Sequence, residues 1–283
     1  MDITKDIPTY YINLDESTDR NISIINTLNK VGFSNITRIP AIDTRTDDLV
    51  SRYQKYIDPE AYQILQEDNK AGKRRYFGSL TNGSIGCFLS HLAVFDRILR
   101  NGDQSAVIFE DDAIISIEPD VFWQGIRNMD APLGDTHMYL LNAVYLDGIR
   151  RIFPGSNTVQ PSRFMGTHAY FITREGALIL SEKLRSVKYQ IDFQMSLLIK
   201  AGKINIYGYD GPAIVYQDQS VFKTTLQNLH CKDCYHRDVN NDITEYFSDN
   251  ASQSSSSYEE ILVFTTVVIF LLISVFIVYR RIL

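Results

Sequence analysis

The run Ala106-Val107-Ile108-Phe109-Glu110-Asp111-Asp112 constrains this 283-residue chain more than any other, because an apolar strand signal ends abruptly in three consecutive carboxylates. Alternate side chains of a strand share a face, so Glu110 and Asp112 can point the same way while Asp111 turns aside or toward a neighbouring loop. Oxygen ligands so placed suit a hard divalent ion such as Mg²⁺ or Mn²⁺, which keeps part of its shell for water and substrate phosphates. The same residues also read as an acidic turn after a buried strand, since strand ends face water.

With 45% apolar residues the chain can bury one large core or two smaller ones. Residues 261–279 stand apart from it: 19 residues without a charge, interrupted by Thr265, Thr266 and Ser274, which as a helix would span about 28 Å. A transmembrane helix is expected there, because a core helix normally keeps a polar face that this run lacks. The preceding stretch is Ser-rich and poor in large apolar groups, as a flexible tether is. The expected organisation is a catalytic domain over residues 1–247, a tether over 248–260, a membrane helix over 261–279 and a short basic tail over 280–283.

The first residues have neither the basic start nor the apolar middle of a signal peptide, so a tail-anchored chain with its large domain in the cytoplasm is expected. Arg280 and Arg281 after the helix and Glu259 and Glu260 before it favour the opposite orientation by the positive-inside rule. In that case the sequons at Asn21, Asn35, Asn82 and Asn250 would matter.

A net charge of −6 makes neither nucleic acid nor an anionic bilayer surface a natural large partner. Lys70-Ala71-Gly72-Lys73-Arg74-Arg75 is a local exception, either a solvated basic loop or a flap that neutralises phosphate or an anionic acceptor. Three cysteines supply no disulfide framework. Cys231 and Cys234, flanked by His230 and His236, have the spacing of half a zinc site and read equally as a disulfide or free thiols.

Periodicity predicts strands over residues 9–14, up to Ile39, 137–142, 169–173 and 213–216. A helix begins near Asp19, with Ile22, Ile25, Leu28 and Val31 as its stripe and Gly32 as its stop. Further helices are predicted over 47–68, broken at Pro59, over a segment striped by Ile85, Phe88, Leu92, Phe95 and Leu99, and over 175–185 and 191–201, with a loop over 79–83. This alternation indicates an α/β domain with a mainly parallel central sheet. Ligands of such sheets sit beyond the carboxyl ends of the strands, and two of those ends are polar here, at Asn13-Leu14-Asp15 and at Glu110-Asp111-Asp112. No glycine-rich dinucleotide fingerprint or phosphate loop is present, which leaves a metal to carry a diphosphate.

Four ordered motifs resemble glycosyltransferase family 25, which includes lipooligosaccharide and collagen galactosyltransferases. They are Ile12-Asn13-Leu14-Asp15 with Asp19-Arg20, then Arg38-Ile39-Pro40-Ala41-Ile42-Asp43, then Gly86-Cys87-Phe88-Leu89-Ser90-His91, then Ile108-Phe109-Glu110-Asp111-Asp112. The likeness continues through Gly166-Thr167-His168-Ala169-Tyr170, Gly176-Ala177, Asp192 and Pro212, covering roughly residues 7 to 220. Thr44 stands where the family usually has glycine, and Phe95 where it often has tryptophan.

The resemblance implies a GT-A-like nucleotide-sugar-binding fold, a UDP-sugar donor, usually UDP-galactose, and a divalent metal, Mn²⁺ ahead of Mg²⁺. It places Glu110, Asp111 and Asp112 on the metal. Asn13 and Asp15 would touch uracil and ribose, while Arg20 would hold the diphosphate or lie on an exposed helix face. Ser90 and His91 would serve donor binding or the architecture of the site. For an inverting reaction Asp192 is the candidate base, equally explained as a helix-start carboxylate. The acceptor would be a glycan, glycolipid or glycoprotein near a membrane. Two other readings are an inactive glycan-binding or scaffold protein and a metal-dependent hydrolase.

Overall fold

The computed structural model describes residues 3–74, 78–132 and 134–217. The expected tether, membrane helix, basic tail and the Cys231/Cys234 pair lie outside the described residues. Among the described residues no helix is long and apolar enough to cross a membrane.

The first half comprises β1 (Thr9–Asn13), α1 (Thr18–Val31), β2 (Ile36–Pro40), α2 (Asp47–Ser51), α3 (Pro59–Ala71), α4 (Asn82–Asn101), β3 (Ser105–Glu110), β4 (Ala113–Ile114) and α5 (Pro119–Arg127). Then follow β5 (Met138–Leu140), β6 (Val144–Asp147), β7 (Arg150–Arg151), β8 (Thr158–Gln160), β9 (Arg163–Met165), β10 (Ala169–Thr173), α6 (Arg174–Lys183), α7 (Ile191–Lys200), β11 (Ile206–Tyr209) and β12 (Tyr216–Gln217). Eight strands form one sheet in the order β2-β1-β3-β10-β5-β11-β8-β7. Six run one way, and β10 and β8 run against them. The α/β architecture is as expected from the alternation of elements, with two reversed strands that the alternation does not reveal.

Both faces of the sheet are covered, which is why its strands read as unbroken apolar runs. Tyr10, Ile12, Ile108, Leu140, Tyr170 and Ile172 pack with residues of α3, α4, α6 and α7. Their strand neighbours Tyr11, Val107, Phe109, Tyr139, Ala169 and Phe171 pack with α1 and α5. Ala106 to Phe109 are completely buried, so β3 meets solvent through its two ends, Ser105 and Glu110.

Local chemistry sets the helix ends. Thr81 and Ser84 form a reciprocal capping box at the start of α4, and Gly102, in the left-handed conformation, stops it. Asn82 and Gly83 therefore belong to the helix and not to the loop predicted there. Asp58 caps α3 with Pro59 at its first turn, as the predicted break requires.

Two predictions are corrected. The buried stripe of α1 is Ile24, Leu28 and Val31, and Ile22, two positions before Ile24 and so on another side of the helix, is 59% exposed. The strand predicted over 213–216 is confined to Tyr216–Gln217, which pairs with β4 outside the main sheet, while Ile214 and Val215 are buried in the core without joining a strand. The sheet instead takes Ile206–Tyr209, a run the glycine at its centre disguises; a Cβ on Gly208 would lie 2.1 Å from the Tyr145 hydroxyl.

Gly86 permits the closest approach around α4. A Cβ there would lie 2.3 Å from the Ile42 carbonyl oxygen and 2.6 Å from Thr44 Oγ1. Helix propensity alone would favour Gly86→Ala by about 1 kcal/mol. The clash with backbone is expected to reverse that sign, costing about 1–3 kcal/mol in urea unfolding; an unchanged or raised midpoint would contradict the packing described.

Candidate active site

β1 and β3 are parallel neighbours, as are β1 and β2, with Asn13 in register with Pro40 and Ile12 with Glu110. Three strand ends therefore open on one edge of the sheet, where open α/β sheets hold their ligands. The start of the reversed β10 joins them, with the Glu110 amide donating to the His168 carbonyl at 2.9 Å. A cleft lies over this edge. Of the nine residues singled out from sequence, Asn13, Arg20, Ser90, His91, Glu110, Asp111 and Asp112 line it, whereas Asp15 and Asp192 do not.

The three carboxylates diverge. Glu110 Oε1 accepts from Thr167 Oγ1 at 2.7 Å and faces His91 Nε2 at 3.3 Å. Asp111 turns to the neighbouring strand and helix, accepting from Asn13 Nδ2 at 2.8 Å and from Arg20 Nη1 at 2.9 Å. Asp112 Oδ1 accepts from the Gln217 amide at 2.9 Å, and the same amide lies 3.4 Å from Glu110 Oε2. Arg20 Nη1 also stands 3.7 Å from Asp112.

Crowding of negative charge marks the site. Burial, then the charges of Glu110 and Asp111, push the Asp112 carboxyl up to about 7. Burial raises Asp111 as well, against the pull of Arg20 and Asn13. Burial acts to raise Glu110 too, but the bonds from His91 and Thr167 more than offset it and leave it below the usual glutamate value. Hard oxygen donors under mutual repulsion could hold a divalent cation, and Glu110 Oε2 and Asp112 lie on either side of the Gln217 amide, whereas Asp111 is turned toward Asn13 and Arg20. Ligand atoms of three His, Cys, Asp or Glu residues come within 4.8 Å of one another at one place among the described residues, Cys87, His91 and Glu110.

The remaining predicted residues have other partners. Ser90 donates to the Gly86 carbonyl at 2.6 Å and accepts from the Ile42 amide at 2.8 Å, tying the loop after β2 to α4. Asp15, its side chain 83% exposed, pairs with Arg38 at 2.6 Å. Asp192 accepts from the amides of Gly166 at 3.0 Å and Phe193 at 2.8 Å, and burial raises its pKa despite those bonds. Sequence reasoning left out Thr167, which lies in a quoted motif, and Arg38, whose side chain holds the Asn13 carbonyl and amide oxygens at 3.1 and 2.9 Å. Gln217 lies in no motif, and nothing in the sequence points to it. Among the described residues, buried His168 has no hydrogen-bond partner at either ring nitrogen, and burial lowers its pKa.

A family model described as glycosyltransferase family 25 (LPS biosynthesis protein) matches residues 6–195. Over 110 residues the chain is 30% identical to a glycosyltransferase 25 family member of Anopheles gambiae, an alignment that takes in 39% of this chain and 17% of the length of that relative. Mouse xyloside xylosyltransferase 1, in its apo form, superposes with a TM-score of 0.38 at 8% identity, covering 75% of this chain and 97% of that one. The inositol-1-phosphate CTP transferase of T. maritima gives a TM-score of 0.38 at 11% identity, covering 75% and 89%.

The Arg20–Asp111 pair has side-chain exposures of only 12% and 11%. Arg20→Met, which keeps the packing stem and removes the charge, is therefore expected to cost about 3 kcal/mol in chemical denaturation. Arg20→Lys should recover part of the loss. A cost under about 0.5 kcal/mol, the scale of an exposed pair, would show that Asp111 does not depend on this cation.

Proposed function

Because the chain belongs to glycosyltransferase family 25, we propose that the cleft transfers a hexose, galactose ahead of others, from a UDP-sugar to a hydroxyl of a glycan, glycolipid or glycoprotein. The observation that carries this proposal is the meeting of Asn13, Arg20, Glu110 and Asp112 at one edge of the sheet, inside the family-matched residues. A nucleotide diphosphate needs cationic and hydrogen-bond donors beside a metal-holding pair of carboxylates, and these side chains offer them.

Glu110 and Asp112 would hold the divalent cation, Mn²⁺ ahead of Mg²⁺, with Asp111 shaping the pair through Arg20 and Asn13. A cation so held supplies electrostatic stabilisation of the charge that builds on the departing diphosphate. Arg20 is placed to add to that charge balance, and Asn13 to meet the nucleoside. Asp192, which accepts from the Gly166 and Phe193 amides and lies outside the cleft lining, is the proposed base of an inverting reaction. The GT-A-like use of the sheet and a membrane anchor at residues 261–279 belong to the same proposal, the anchor resting on the uncharged apolar run there.

Calorimetry of the full chain in detergent, with UDP and UDP-galactose, is expected to show binding with Mn²⁺ that chelator abolishes and that Glu110→Ala/Asp112→Ala loses. UDP release should depend on added sugar acceptor. Asp192→Asn should lower kcat by about 10²- to 10⁴-fold with donor binding intact. A folded protein that binds no nucleotide sugar would favour a glycan-binding scaffold, and UDP release indifferent to every acceptor would favour a hydrolase.

A further inference from the structure

We propose that His91 and Tyr170 are positioning residues, which fix Oε1 of Glu110 and leave Oε2 on the side of Asp112. His91 is completely buried on α4, with Nδ1 2.8 Å from the Tyr170 hydroxyl and Nε2 3.3 Å from Glu110 Oε1. Tyr170, on β10, is also completely buried, and among the described residues its hydroxyl meets His91 alone. A buried hydroxyl hydrogen needs an acceptor, and Nδ1 is the one in reach. An Nδ1 that accepts carries no hydrogen, so the ring hydrogen sits on Nε2 and is donated to Glu110. Thr167 Oγ1 donates to the same oxygen at 2.7 Å. Two donors from different elements thus converge on Oε1, while the Gln217 amide spans Oε2 and Asp112.

The tautomer also decides against another use of this cluster. Cys87 and His91 lie one turn apart on α4, and with Glu110 they could hold a thiophilic cation such as Zn²⁺. That cation would need the Nε2 lone pair, which is absent when Nε2 carries the hydrogen. His91 therefore acts through Glu110 rather than as a ligand or a donor contact.

The test uses the full chain in detergent, labelled with ¹⁵N-histidine, in long-range ¹H–¹⁵N correlation spectra, with the His91 signals assigned by their loss in His91→Gln. The Nε2–H form is expected, together with Mn²⁺ binding, followed by electron paramagnetic resonance, that weakens about tenfold in Tyr170→Phe. His91→Gln, which can still donate to Glu110, should bind Mn²⁺ better than His91→Leu. An Nδ1–H form in the unaltered protein would overturn the proposal. So would Co²⁺ giving a thiolate charge-transfer band that Cys87→Ser abolishes. The Mn²⁺ arm rests on the metal assignment made above. An Nε2–H ring in a protein that binds no Mn²⁺ would support the positioning and sink the metal assignment alone.

Discussion

Three carboxylates in succession at the end of a buried strand repel one another, and the site is organised as the answer to that repulsion. Each acid has a close donor, and two donors are shared, the Gln217 amide between Asp112 and Glu110 and Arg20 between Asp111 and Asp112. Glu110 takes donors from α4 and from the loop before β10, Asp111 from β1 and α1, and Asp112 from the end of β12. Were any of these elements displaced, a partly buried charge would lose its partner, which is more costly than losing an apolar contact of similar size. The acidic strand end thus ties together segments from both halves of the described chain.

The opposite wall of the cleft depends on small side chains. Gly86 has no Cβ, so the loop after β2 can lie against α4, and Ser90 one turn later fastens that loop by its hydroxyl. Thr44 seals the contact by donating to the Asn82 carbonyl at 2.6 Å. Thr44 is therefore built into the packing. The bidentate Arg45–Asp43 pair, at 2.9 and 2.6 Å, stiffens the same loop.

Much of this was legible in the sequence because the signals were local. The unbroken apolar run of β3 announced a strand covered on both faces, and its abrupt acidic end announced the edge at which the site lies. Pro59 marked the break before α3 in the same local way, whereas the Thr81–Ser84 capping box starts α4 inside the stretch that reads as a loop. Other contacts were not legible, since they depend on pairings between residues far apart. Gln217 reaches Asp112 across 105 positions, and no pattern in residues 213–217 forecasts that bond. Asp15 sits beside Asn13 in the same quoted motif, yet its side chain faces solvent and Arg38 instead of the cleft. A motif identifies neighbours along the chain, while strand pleat and loop path decide which of them turn inward.

The reversal of β10 is the feature that alternation of elements could least reveal, and the site depends on it. A parallel strand in that place would bring its carboxyl end, Thr173, beside Glu110. Running the other way, β10 puts its start there, with Ala169 in register with Phe109. The residues just before and within it then reach three groups at once: Gly166 meets Asp192, Thr167 meets Glu110, and Tyr170 meets His91. His168, between them, brings to the same edge a buried imidazole with neither nitrogen engaged by any described residue. Direction in the sheet, more than composition, turns Gly166-Thr167-His168-Ala169-Tyr170 from one more strand start into the second wall of the acidic site.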